Sequence, residues 1–106
     1  MFARHVRIHL KADGRPGFVR AIDSETIPAL KKFAGFSGEI VLVSNDGREA
    51  IGISLWDNKE HAETYNRQGY ADVMKPLEKF MDGKPQLRTY EVTNSTFEKL
   101  FVRKAA

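Results

Sequence analysis

The stretch EIVLVSNDGREAIGISLW (39–56) constrains the fold more than any other part of the chain. Two apolar runs, 39–44 and 49–56, flank Asn45-Asp46-Gly47. Asn and Asp-Gly tolerate the positive φ that a tight hairpin turn needs, so the runs read as adjacent antiparallel strands. A strand wetted on one side alternates apolar with polar residues. These do not: Ile40 and Leu42 alternate with Val41 and Val43, and Ile51, Ile53 and Leu55 alternate with Ala50, Gly52, Ser54 and Trp56. Both faces of this hairpin therefore call for cover.

The rest of the chain supplies one layer. ARHVRIHLK (3–11) alternates, with Val6, Ile8 and Leu10 on one face and His5, Arg7 and His9 on the other, which is a first strand. ADGRPG reads as a loop. Residues 18–33 repeat Phe18, Ile22, Leu30 and Phe33 at helical spacing, with a break expected near Pro28 and Gly35 placed to cap. After Trp56, Asp57 and Glu60 suggest a capping box opening a helix that ends near Gly69. A second helical piece (70–81) puts Tyr70, Met74, Leu77 and Met81 on one side, and LRTYEVTN (87–94) is a last strand. The order β-α-β-β-α-β, with right-handed crossovers, gives an α+β, ferredoxin-like fold: a four-stranded antiparallel sheet with both helical regions on one face. The other face is left open. A chain of 106 residues forms one domain and buries roughly two thirds of its unfolded surface, too little to hide a bare apolar sheet. The simplest cover is a second copy on a two-fold axis, so a homodimer through the open sheet face is expected.

Composition excludes several classes. There is no cysteine, hence no disulfide and no thiolate nucleophile or metal site. A net charge of +3 is too mild to indicate nucleic acid. No apolar run reaches the roughly 20 residues of a membrane span, and MFARHVRIHLKADG lacks a signal-peptide core, so the expected compartment is the cytoplasm.

The pattern IPALKKFAGFSGEIVLVSNDGREAIGISLWDNKEHAETY resembles the antibiotic-biosynthesis-monooxygenase-like family over about residues 3–95, with 96–106 as a C-terminal extension. Similar features are Pro28 in the first helix, FAGFSG before strand two, the hairpin, and ISLWDNKEHAETY with Trp56 closing strand three. The resemblance implies a dimeric α+β barrel that binds a small hydrophobic or aromatic molecule. The activity it brings is cofactor-independent monooxygenation. The alternative is a non-catalytic interaction or structural module, with RNA binding a distant third. In quinone-forming members an Asn stands four residues before the Trp; here that position is Gly52. Haem-degrading members carry an Asn on the first strand, a Trp on the second helix and a later His. Here the first strand has no Asn and the helix positions match Tyr65 and Lys75, so haem degradation is not expected.

Candidate site residues follow. Trp56, with Ser54, Gly52, Tyr65, Tyr70 and Met74, would wall a ligand pocket, small residues beside one large aromatic leaving room; the same residues equally fit a core edge. His5 and His9 are the candidates for a general base, or else line the dimer face. Four residues apart on a strand, they lie roughly 13 Å from each other, too far for one zinc ion. His61 has no HxxxH partner and reads as exposed. No metal and no cofactor is expected. FAGFSGEIVLV is superficially like the aromatic motif of RNA-recognition domains, but that motif belongs on strand three, which here lacks exposed alternating aromatic and basic residues.

Overall fold

The computed structural model describes residues 1–97. Strands β1 (Phe2–His9), β2 (Phe36–Val43), β3 (Glu49–Trp56) and β4 (Gln86–Glu91) form one antiparallel sheet in the order β2-β3-β1-β4. The helical segments are α1 (Arg15–Ala21), a π turn (Ile22–Thr26), α2 (Ile27–Leu30), α3 (Lys59–Gln68), α4 (Tyr70–Met74) and a 3₁₀ stretch (Lys75–Phe80). The architecture is the α+β, ferredoxin-like one expected.

Local boundaries differ from expectation for physical reasons. The first helix starts at Arg15, inside the stretch read as a loop, because Pro16 sits in the first turn, where no N–H is needed. The irregularity tied to Pro28 appears just before it: Ile27 N–H bonds the Ile22 carbonyl, a π-type step. Pro28 has no N–H for the preceding turn, and the helix widens to accommodate that. β2 begins at Phe36 rather than 39, since a bulge between Phe36 and Gly38 lets Phe36 pair with Trp56. β4 ends at Glu91 rather than 94. Helix α3 is capped by Asn58, whose Oδ1 accepts from the His61 N–H at 2.8 Å, and not by Asp57. Asp57 Oδ1 instead meets His61 Nδ1 at 2.6 Å, so His61 is half-buried, not exposed as expected. From residue 98 the C-terminal extension lies outside the described residues.

The strand register lays side chains in rows across β1, β3 and β2 on the helix-covered face: Phe2–Trp56–Phe36, Arg4–Ser54–Glu39, Val6–Gly52–Val41 and Ile8–Ala50–Val43. The last rows form one core cluster with Phe18, Ile22, Met74 and Leu77. The aromatic row forms another, with Leu30, Ala62, Tyr65 and Val73. At its centre Trp56 is fully buried. Its indole stacks on Tyr65 at 4.8 Å and 25°, meets Phe36 edge-on at 5.6 Å, and donates from Nε1 to Ser54 Oγ at 2.9 Å. Phe33 meets Tyr65 edge-on at 5.0 Å and lies against Gly69, where any Cβ would collide with its ring. Gly69 is thus required for contact and breaks α3 from α4. The opposite sheet face carries Ile40, Leu42, Ile51, Ile53 and Leu55, and among the described residues no layer lies over them; Leu42 is 51% and Tyr90 49% exposed.

Removing Trp56 deletes the stack and the indole hydrogen bond together. Trp56→Ala is expected to cost about 3–5 kcal/mol, and Trp56→Phe much less. Thermal unfolding of both variants checks this: an alanine variant that melts with the wild type would refute a structural role.

Candidate functional site

The polar row Arg4–Ser54–Glu39 lies between the aromatic row and the apolar rows, beneath the helices. Strand two offered a carboxylate and strand one a guanidinium to a face otherwise apolar, and the sheet register sets both beside Ser54. With strands about 4.8 Å apart, the Arg4 and Glu39 backbones stand roughly 10 Å from each other across Ser54. Above this row is a cavity lined on the sheet side by Arg4, Glu39, Val41, Gly52 and Ser54 and on the helix side by Thr26, Tyr65, Tyr70 and Met74. About 460 Å³ there is free of protein atoms, mouth included, but the gap is narrow, and the centre of a water-sized sphere has only about 40 Å³ to move in. That is room for a few waters.

Gly52 creates part of this space. A Cβ there would come within 3.1 Å of Glu39 Oε2. The Glu39 side chain therefore leans over a strand position without a side chain of its own.

The electrostatics are those of charge held away from water. Arg4 is 3% exposed. Its guanidinium lies over the rings of Tyr70 (4.7 Å) and Tyr65 (5.2 Å), and Nη1 donates to Asn66 Oδ1 at 2.9 Å. Burial pulls the Arg4 pKa below its ordinary value, against the pull of both tyrosines. Burial pushes the Glu39 carboxyl up to about 7 and raises both tyrosine hydroxyls. Three buried atoms of lining residues have no hydrogen-bond partner among the described residues: Arg4 Nη2, Thr26 Oγ1 and Glu39 Oε1. An unpaired buried polar group costs about 1–3 kcal/mol, so these atoms call for partners that water or a ligand in the cavity would supply.

Of the residues singled out in the sequence, Gly52, Ser54, Tyr65, Tyr70 and Met74 line the cavity. Trp56 does not; it stands behind Tyr65, because the row it closes is filled by Phe36 and Phe2. His5 and His9 are on the other face of the sheet, since β1 alternates and Arg4, Val6 and Ile8 take the helix side. His5 meets Tyr90 edge-on at 6.1 Å, and His9 is exposed. Neither can serve the cavity as a base. The sequence reading missed Arg4 and Glu39. The signal was present: each interrupts an apolar face at the same period-two positions as its hydrophobic neighbours. Among the described residues no group of His, Asp and Glu could hold a metal ion.

Glu39 makes stability depend on pH. Its ordinary value is 4.5, and folding raises it to about 7, so between those values the folded state holds a proton that the unfolded state has released. Stability from this group is complete below about 4.5 and is lost as pH rises through about 7, by at most about 3 kcal/mol. Glu39→Gln cannot titrate. Between about pH 5 and pH 8 the wild type is expected to lose several degrees of Tm relative to this variant. Parallel Tm profiles would contradict it.

No family model and no curated protein matches the chain. Solved structures do. A Nitrosomonas europaea protein assigned to the antibiotic biosynthesis monooxygenases superposes with a TM-score of 0.73 at 14% identity, over 89% of this chain and 100% of that one. A Streptomyces coelicolor monooxygenase in complex with nanaomycin D gives 0.76 at 13% identity, over 91% and 90%. SnoaB, a cofactor-independent oxygenase from Streptomyces nogalater, gives 0.74 at 13%, over 92% and 97%. The chain thus has the fold of the antibiotic-biosynthesis-monooxygenase-like proteins, as the resemblance in its sequence implied.

Proposed function

We propose that this protein binds a small, largely apolar or aromatic molecule in the cavity between sheet and helices and works as a homodimer. One observation carries the binding reading: an apolar cavity whose lining includes three buried polar atoms without partners. Such groups gain most when a ligand supplies the missing bonds. The fold neighbours support it, since one is bound to nanaomycin D. Cofactor-independent monooxygenation is the activity this reading includes, supported by a neighbour described as a cofactor-independent oxygenase. A cytoplasmic setting belongs to the same proposal; among the described residues no helix is long and apolar enough to cross a membrane. The rival reading, a non-catalytic module, is favoured by the narrowness of the gap.

Trp56 separates the two readings. It stacks on Tyr65, a lining residue, so a ligand that displaces or polarises Tyr65 changes the emission of the chain's single Trp. Titration with naphthols and quinols is expected to give saturable quenching. Gly52→Val, which fills the space beside Glu39 and makes its carboxylate shift, is expected to abolish it in a chain that still unfolds cooperatively. No saturable quenching by any of these compounds would favour the module.

The dimer is supported by the uncovered apolar face of β2 and β3. Ile51→Asp puts a charge on that face and is expected to yield a folded monomer, whereas Val41→Asp puts one in the core and is expected to unfold the chain. Sedimentation of the wild type as a monomer at micromolar concentration would end this part of the proposal.

A further inference from the structure

Among the described residues, the buried cation Arg4 has no counter-ion. The ion pairs of the described residues join Arg7 to Glu49, Lys59 to Glu63, His61 to Asp57 and Lys75 to Asp72; none reaches Arg4. Tyrosine faces and one amide oxygen offset only part of its desolvation. A guanidinium this deeply buried is ordinarily paired. Arg4 also separates two spaces: it lines the cavity and a cleft between α3 and β4, bordered by Lys59, Glu63, Asn66 and Thr89. Glu63 in that cleft is engaged by Lys59 at 3.8 Å rather than by Arg4.

Resting on the reading of the cavity as a small-molecule site, we propose that its ligand is a compact monocarboxylate, its carboxylate accepting from Arg4 Nη2 and its far end hydrogen-bonding to Glu39. The chemistry narrows the class. Nη1 is already held by Asn66, so Arg4 offers one free edge, which suits a carboxylate. A phosphate would bring more oxygens than the apolar lining can satisfy. The far end is set by the row itself: Glu39 pairs with Ser54 from the side opposite Arg4. The gap over this row has about 40 Å³ for the centre of a water-sized sphere, room for a few waters, so a single ring or a short chain enters only as the helix-side wall moves off the sheet. The raised Glu39 carboxyl, partly protonated at neutral pH, can donate to or accept from that end and adds little repulsion to an anion. Tyr70, half-buried on the short α4 that follows Gly69, is the wall that must give when the ligand enters.

The test uses three matched probes on the intact protein: 4-hydroxyphenylacetate, its neutral analogue 4-hydroxyphenylethanol, and phenylacetate, which lacks the far hydroxyl. Calorimetry and thermal shift are read together. The wild type is expected to prefer 4-hydroxyphenylacetate over the alcohol by about tenfold or more. Arg4→Met, similar in length and apolar, is expected to abolish that preference while still binding the alcohol; Arg4→Lys, which keeps the charge, retains part of it. Glu39→Gln is expected to reduce the preference for 4-hydroxyphenylacetate over phenylacetate and to leave the acid-over-alcohol preference intact. If the wild type binds the alcohol as tightly as the acid, the carboxylate assignment is overturned and the aromatic pocket stands. If it binds none of the three, the assignment is overturned too, and the pocket then rests on the Gly52→Val titrations alone. An acid preference that survives in Arg4→Met equally overturns the role given to Arg4.

Discussion

The stack of Trp56 on Tyr65 is the contact on which the rest of the arrangement depends. It joins the end of β3 to the middle of α3 through two large flat surfaces, and aromatic pairs of this kind contribute more than their buried area alone. Ser54 fixes the indole by accepting its N–H, and Phe33 meets the tyrosine edge-on. With Tyr65 so held, its opposite flank becomes a surface for the Arg4 guanidinium, which Tyr70 shares. The position of a buried charge is thus set by an apolar stack one row away.

The sheet arranges these residues by rows. Because adjacent strands are antiparallel and in register, a charged residue on each of the two strands flanking β3 and a serine on β3 fall on one line. Above the line are aromatic side chains and below it aliphatic ones. A polar row in that position has few ways to be satisfied: backbone groups are occupied by the ladder, and the helices above present Thr26 and two tyrosines. Gly52 adds the space. Consistency between local pattern and fold fails here, at the place where a site would be built.

The two faces of the sheet are unequal. The helix side is packed to the point that Gly69 cannot bear a side chain against Phe33, whereas the other side exposes aliphatic residues from β2 and β3 next to the Arg7–Glu49 pair and His5. The described part of a single chain has no element left to cover that side. An apolar face bordered by charge is the usual form of a surface that pairs with another.

Much of this was legible in the residues. The Asn45-Asp46-Gly47 turn between apolar runs determined the hairpin, the alternation of Val6, Ile8 and Leu10 determined β1, and the order of elements determined the α+β class, because turn chemistry and side-chain period are local properties. The two-sided apolarity of β2 and β3 was equally local. The ends of elements were less legible: the bulge after Phe36 and the π turn before Pro28 answer to pairing and packing that no short window contains. The site was legible only in part. Gly52, Ser54, Tyr65, Tyr70 and Met74 were candidates from their spacing, but the period could not say which face of β3 lines a cavity. That Trp56 stands behind the cavity, that the histidines lie on the far side of the sheet from it, and that Arg4 and Glu39 share one row were decided by tertiary structure. Cross-strand register brings together residues 35 positions apart, and burial leaves a cation with no counter-ion among the described residues and raises the carboxyl's pKa toward neutrality.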